Sequence, residues 1–334
     1  MKIFMHYFAV LALLAAATNG LELVAQSDVT QESQASQVGQ VSPNSQAGED
    51  SPNQADQVHQ DDTCTLTDTY VKGTNVTHCS SIIIDSLSVP AGVMLDLTNV
   101  TDGANIKFKG TTTFGQKLWD GPFLKLRGNN LSLTGPGTLD GQGAWYWPQG
   151  QAVTKPVFFK LNRVNNSTLS GFTLKNSPFR TFSVGNSNYT TFTRLTLNST
   201  AGNSVAKNTD GFDLSRNDHI TIKGNHIYNQ DDYDSDTVTG LLVKDNVIIN
   251  SDNGIRIKTI TGLTRLVNDI AYIDNKVVNV KNAIVMHLDY NRTKGGYSGI
   301  PDSMAKITNI KIHGLSGSAK NLYDIVANPD AVAD

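Results

Sequence analysis

Only two cysteines, Cys64 and Cys79, occur in the 334 residues. No cluster of cysteine and histidine has the spacing of a metal centre, so structural zinc is excluded and no metal or organic cofactor is expected. No apolar run spans a membrane: residues 8–17 fall short of the about 20 residues that crossing roughly 30 Å of hydrocarbon requires. From Leu124 onward no long segment has helical periodicity. Hairpin dipeptides do not recur every roughly 8–12 residues, as a β-sandwich would require. Residues 26–62 contain no aromatic side chain at all. No basic helix or aromatic stacking platform is visible, which argues against a nucleic-acid partner.

What is there begins with a leader. Residues 1–20 carry Lys2, the apolar run and then Thr18, Asn19 and Gly20, the layout of a secretory signal peptide cleaved near Gly20. Residues 21–62 are dominated by Gln, Ser, Asn, Asp and Glu. Such a stretch buries too little apolar surface to offset its ordering entropy and is expected to be a disordered leader, whether propeptide, spacer or O-glycosylated tail. The folded domain is then 63–334. The first 62 residues carry Lys2 against eight acidic residues, a net −7; since the whole chain is −3, the domain is about +4. A mildly basic domain suits a polyanion. In an oxidising compartment Cys64 and Cys79 are expected to close one disulfide, worth about 3 kcal/mol. Sequons starting at Asn75, Asn99, Asn130, Asn165, Asn166, Asn188, Asn198 and Asn291 agree with a secreted, extracellular glycoprotein.

Short β-branched runs recur along the domain. They start at Ser170, Thr193, Lys223, Lys244 and Ile273, in steps of 23, 30, 21 and 29 residues, and each has an Asn at or near its end. A repeat of this length, made of strands and Asn/Gly turns, predicts an all-β solenoid of the parallel β-helix kind, with alternate apolar residues turned inward. Asn at the corners fits because it tolerates the left-handed backbone of a sharp turn.

Three carboxylates stand out. Asp210 lies in Asn208-Thr209-Asp210-Gly211, and Asp231 and Asp232 follow Gln230. The repeat places them one rung apart, about 4.8 Å along a stack of strands. Glycosidic hydrolysis needs one carboxylic acid to protonate the leaving oxygen and a carboxylate to activate water. Arg256 and Lys258 are two apart on a strand and share its outer side, a pairing suited to carboxylate-bearing sugars.

Together these segments resemble the polygalacturonases of glycoside hydrolase family 28, from Cys64 to about Ser318. The resemblance runs through residues 79–84, 89–97, 135–147, Asn208–Asp213, Asn229–Asp232, Gly254–Lys258 and Met286–Tyr290. It implies a right-handed parallel β-helix and an inverting, endo-acting hydrolysis of α-1,4-galacturonan in pectin by a monomer.

 On that resemblance Asp231 is the general acid, and Asp210 and Asp232 hold and deprotonate the water. Asn208, Arg256 and Lys258 bind the substrate, and Tyr290 packs against a sugar ring. The partner is the polygalacturonate of pectin, with no nucleic acid, membrane, metal or cofactor.

The chain departs from that pattern in one place above all. It has no Gly-His-Gly between the Asp pair and Arg256, and only 23 residues separate Asp232 from Arg256. This reads as one whole rung removed in register, which puts Asn253 where the family's histidine stands and brings Arg256 and Lys258 about 4.8 Å nearer the acids. A pectin-binding homologue without catalysis is the alternative that this departure implies. Tyr233 occupies the place of a family cysteine, and the tail 321–334 reads as a truncated or replaced terminal coil.

Overall fold

Alternation of buried and outward residues builds many of the strands. Ser81–Asp85 buries Ile82 and Ile84, Phe159–Asn165 buries Phe159, Leu161 and Val164, and Phe212–Asp218 buries Phe212 and Leu214. The residues between them face outward, in the period of two that a pleated strand imposes, which lengthens to three between Leu161 and Val164 where the register shifts. The computed structural model describes residues 62–230, 234–291, 293–328, 330 and 331. The expected signal peptide and almost all of the leader therefore lie outside the described residues, as do Asp231, Asp232 and Tyr233.

Each turn of chain contributes to three ribbons of stacked strands, giving a right-handed parallel β-helix, the usual hand of parallel crossovers. The first ribbon runs through Leu95–Leu97, Leu124–Asn129, Phe159–Asn165, Phe182–Gly185 and Phe212–Asp218 to the start of Asp234–Lys244. The second includes Asn105–Lys109, Ser132–Thr134, Thr168–Ser170, Thr191–Thr193 and Thr221–Lys223. The third includes Thr138–Asp140, Thr173–Lys175, Thr196–Asn198, His226–Tyr228 and Val247–Ile249. Among the described residues every strand pairing is parallel except the short return of Gly296–Tyr297 against Tyr290 and Asn291.

The register of the third ribbon reproduces the steps read from the sequence. Thr173 pairs with Thr196, Thr196 with His226, His226 with Val247, and Val247 with Lys276. The short step from His226 to Val247 is thus a complete rung, and the chain closes over it without a break in pairing.

Two stacks hold the rungs in phase. Phe159, Phe182 and Phe212 lie one above another, with centroids 5.4 and 5.0 Å apart. At a corner, the fully buried Asn225, Asn246 and Asn275 form a ladder. The Asn225 backbone N–H and Nδ2 donate to Asn246 Oδ1 at 3.0 and 2.9 Å, and Asn246 donates likewise to Asn275 Oδ1 at 3.1 and 3.0 Å. Each Nδ2 also reaches a strand carbonyl, of Phe192, Ile222 or Val243. Corner groups that no strand can pair are satisfied in this way, as burial requires.

The corner asparagines expected from the repeat divide into two kinds. Asn176, Asn250 and Asn279 adopt the left-handed backbone, at φ of 54°, 55° and 54°. Asn198 instead accepts the Thr200 N–H at 3.1 Å and opens a short helical turn, Thr200–Gly202, while Asn229 is buried. At the start of the domain Cys64 and Cys79 form the expected disulfide, with Cα atoms 5.8 Å apart. The segment 321–326 continues the strand Ser316–Val326, laid in parallel on Lys276–Asn291. Among the described residues no helix is long and apolar enough to cross a membrane.

Candidate active site

Asp210 sits where the chain turns into the strand Phe212–Asp218, and it is almost fully buried. Its carbonyl accepts the Thr181 N–H at 2.8 Å and that of Gly211 accepts the Phe182 N–H at 3.1 Å, which fixes the corner on the rung below. Asn208, half-buried, makes the approach in a left-handed conformation with φ of 55°. Asn is among the few non-glycine residues that tolerate it.

Thr209, between them, is fully buried. Its hydroxyl donates to Gln230 Oε1 at 2.9 Å and accepts the Gln230 backbone N–H, also at 2.9 Å. The Gln230 amide nitrogen donates in turn to the Ser199 carbonyl at 2.9 Å and to Asn203 Oδ1 at 3.0 Å. The corner carrying Asp210 is thereby fastened to the corner that leads into Asp231 and Asp232. Those two acids themselves fall outside the described residues.

Asp213 faces outward from the same ribbon, one pair of residues beyond the corner, and its carboxylate meets Arg180 Nε at 2.7 Å. The two form a close ion pair of opposite charges. Asp213 belongs to a segment singled out in the sequence, but its pairing with Arg180 was not foreseen.

Farther along, the strand Asn253–Ile260 turns Ile255 and Ile257 into the core and Arg256 and Lys258 to the other side. Arg256 is nevertheless buried, and its Nη1 donates at 3.2 Å to the Asn253 side-chain oxygen. Asn253, at the position read as the family's histidine, is itself buried beside Asn282, with 2.9 Å between the two amides. Lys258 Nζ lies 4.2 Å from the ring centroid of Tyr290, so the expected binding residues Lys258 and Tyr290 do come together. A cation over an aromatic face is worth about 0.5–2 kcal/mol.

One cluster beside these residues escaped the sequence reading. His287, buried and in register with Lys258, places Nδ1 2.8 Å from Asp289 Oδ1 and Nε2 3.0 Å from Asp324 Oδ1. Its ring stacks on Tyr297 at 3.9 Å, and Tyr297 meets Tyr290 edge-on at 5.9 Å. The spacing of His287 and Asp289 by two on a strand was the available signal. Asp324 arrives from the next rung, and no local pattern announces it. Among the described residues the one group of metal-type ligands is Cys64, His78 and Cys79, in which both sulfurs are committed to the disulfide.

Comparison with known proteins gives a consistent result. The sequence pattern described as Glycosyl hydrolases family 28 matches residues 79–235 and 233–330. A polygalacturonase of Cochliobolus carbonum is 36% identical over 294 residues, covering 77% of this chain and 80% of its own. A probable endopolygalacturonase I of Aspergillus flavus is 35% identical over 299 residues, covering 78% and 80%. Among solved structures, the endo-xylogalacturonan hydrolase from Aspergillus tubingensis shares the fold with a TM-score of 0.57 at 18% identity, over 81% of this chain and 98% of that one.

Proposed function

The chain belongs to glycosyl hydrolases family 28, and from that membership we propose that it is a secreted polygalacturonase that hydrolyses the α-1,4-galacturonan of pectin with inversion. The observation that carries this reading is the pair of hydrogen bonds between Thr209 and Gln230, which sets the Asp210 corner against the corner leading into Asp231 and Asp232.

In the proposed mechanism the Asp231 carboxyl gives its proton to the leaving glycosidic oxygen as the bond to the anomeric carbon breaks. A water held by Asp210 and Asp232 attacks that carbon from the opposite face and gives its proton to one of these carboxylates. This is the division of labour between acid and base in an inverting glycosidase. Arg256 and Lys258 bind uronate carboxylates, Tyr290 packs on a sugar ring, and Asn208 contributes to the substrate contacts. Every proton movement is served by carboxyl groups, so the reading requires no histidine at the place of Asn253.

Secretion as a monomer by way of a signal peptide at 1–20 completes the proposal. Asn75, Asn99, Asn130 and Asn166 are exposed and open to glycosylation.

The test is reducing-sugar release from polygalacturonic acid between about pH 4 and 7, a window above ordinary carboxylate pKa values, with Asp231→Asn as the control. Release by the native chain that disappears in the variant is the expected result. A folded protein that releases nothing across this range overturns the reading.

A further inference from the structure

His287 is held by both of its ring nitrogens. Nδ1 lies 2.8 Å from Asp289 Oδ1, and Nε2 lies 3.0 Å from Asp324 Oδ1. An ionised carboxylate only accepts, and imidazole offers two donors only in its doubly protonated form, so these contacts fit the charged ring. A ring bound at one nitrogen can pivot on that bond. One bound at both cannot turn without breaking an ion pair.

Burial alone does not call for this arrangement. Drawing carboxylates to a buried cation costs desolvation that can exceed what their attraction returns. Asp324 is reached on the next strand, 37 residues along, and its side chain is 45% exposed. The clamp therefore fixes the direction of the ring more than it adds stability.

The fixed ring carries Tyr297. The two rings stack with centroids 3.9 Å apart and planes 29° from parallel. Tyr297 arrives on the short return that pairs with Tyr290 and Asn291, and Asp289 seats that return as well. Its Oδ2 accepts the Gly299 N–H at 2.7 Å, and its carbonyl accepts the Ser298 N–H at 2.9 Å. The fully buried Asp289 thus orients the platform through one carboxylate oxygen and holds the loop above it through the other. Tyr297 then meets Tyr290 edge-on at 5.9 Å, and Lys258 Nζ lies over the Tyr290 ring at 4.2 Å. The contacts run without a gap from Asp324 to Lys258.

We propose that His287 is a positioning residue for sugar binding. Clamped between Asp289 and Asp324, it holds Tyr297, and through Tyr297 it fixes the angle at which Tyr290 meets a sugar ring beside Lys258. This rests on the polygalacturonase reading and deepens it. His287, being buried, acts without touching the sugar, and its effect falls on substrate affinity and not on the bond-breaking step.

The experiment is steady-state hydrolysis of polygalacturonate by the full chain, with kcat and KM determined separately. His287→Ala removes the platform and is expected to raise KM about fivefold with kcat unchanged, the size of one aromatic pair. Tyr297→Leu should raise KM by a similar factor, and the double variant no further, because the two act through one contact. Asp324→Ala frees Nε2 and is expected to raise KM about threefold, whereas Asp324→Asn keeps an acceptor and should return KM to near the native value. Unfolding midpoints check that each variant is folded. Should His287→Ala fail that check, the Asp324 and Tyr297 variants decide, Asp324 being half-exposed at the end of the chain of contacts. The proposal is overturned if KM is unchanged in Asp324→Ala and Tyr297→Leu, if kcat falls in place of a rise in KM, or if the effects of His287→Ala and Tyr297→Leu add. Any of these results, with hydrolysis by the native chain, leaves the proposed function standing without this inference. A folded native chain that releases no sugar overturns the function, and this inference with it.

Discussion

Thr209 and Gln230, one rung apart, exchange two hydrogen bonds through a single buried hydroxyl. The hydroxyl serves as donor to the side chain and acceptor to the backbone, so both corners depend on it. Thr209→Val keeps the shape but leaves the buried Gln230 N–H without its acceptor, at a cost of about 1–3 kcal/mol. The expected outcome is a lower unfolding midpoint and a roughly tenfold fall in kcat on polygalacturonate with KM little changed, since the acids and not the sugar contacts are misplaced. Thr209→Ser, which retains the hydroxyl, should restore kcat. Equal loss in both variants would count against a positioning role.

The asparagine ladder predicts a large effect from one side chain. Asn246→Ala removes the Oδ1 that receives two donors of Asn225 and the Nδ2 that reaches the Ile222 carbonyl. Leaving those groups buried and unmatched should destabilise the protein by about 2–5 kcal/mol, read from denaturant unfolding. Loss below about 1 kcal/mol would mean that the corner relaxes and admits water.

Where the short rung docks, Asp218 accepts a hydrogen bond from the Thr239 hydroxyl and contacts His219 Nδ1 at 2.7 Å. The Thr239 hydroxyl first, and His219 second, hold the Asp218 carboxyl below its ordinary value. A depressed pKa in the folded state lends stability that is fully present above the unfolded value, about 3.9, and is lost as pH falls through the folded one. Asp218→Asn should therefore flatten the acid limb of stability below about pH 4, measured by thermal unfolding at a series of pH values. An unchanged acid limb would remove Asp218 from the account. The side chain is 40% exposed, so solvent screening keeps the effect small.

Tyr290 is expected to matter through its ring. Tyr290→Leu loses the face that lies under Lys258 Nζ, and KM for polygalacturonate should rise about tenfold, within the range of a cation–π contact. Tyr290→Phe keeps the face and should stay within about twofold of the native KM. A rise as large in the Phe variant would shift the role to the hydroxyl.

The solenoid was legible because its signal is periodic. Apolar and polar residues alternate in many of the strands, and the steps between runs are those of the register from Thr173 to Lys276. The pairing of Cys64 with Cys79 was legible for a simpler reason, there being no other cysteine. The site was legible only in part. Lys258 and Tyr290 were foreseen as binding residues, but their contact depends on the bulged pairing of two strands. The His287–Asp324 contact spans 37 residues and the Thr209–Gln230 contact 21. Contacts of this span follow from rung length, and rung length varies with each corner loop. Asn198 shows the same limit locally, since one corner can be made by a left-handed asparagine or by a short helical turn.

The ladder from Asn225 to Asn275 has a consequence for how such a chain can change its length. Asn225 hands its bonds to a residue 21 positions on, and Asn246 to one 29 positions on. The spacing is elastic, but the phase is not: each amide must land on the next amide. Insertions within a corner are absorbed there, and removal of a full coil returns the amides to alignment. Removal of half a coil would set an amide against an aliphatic layer and turn a seam of mutual satisfaction into a fault running the width of the protein. The molecule tolerates editing in whole coils, as a spiral staircase can lose a storey but not half a step.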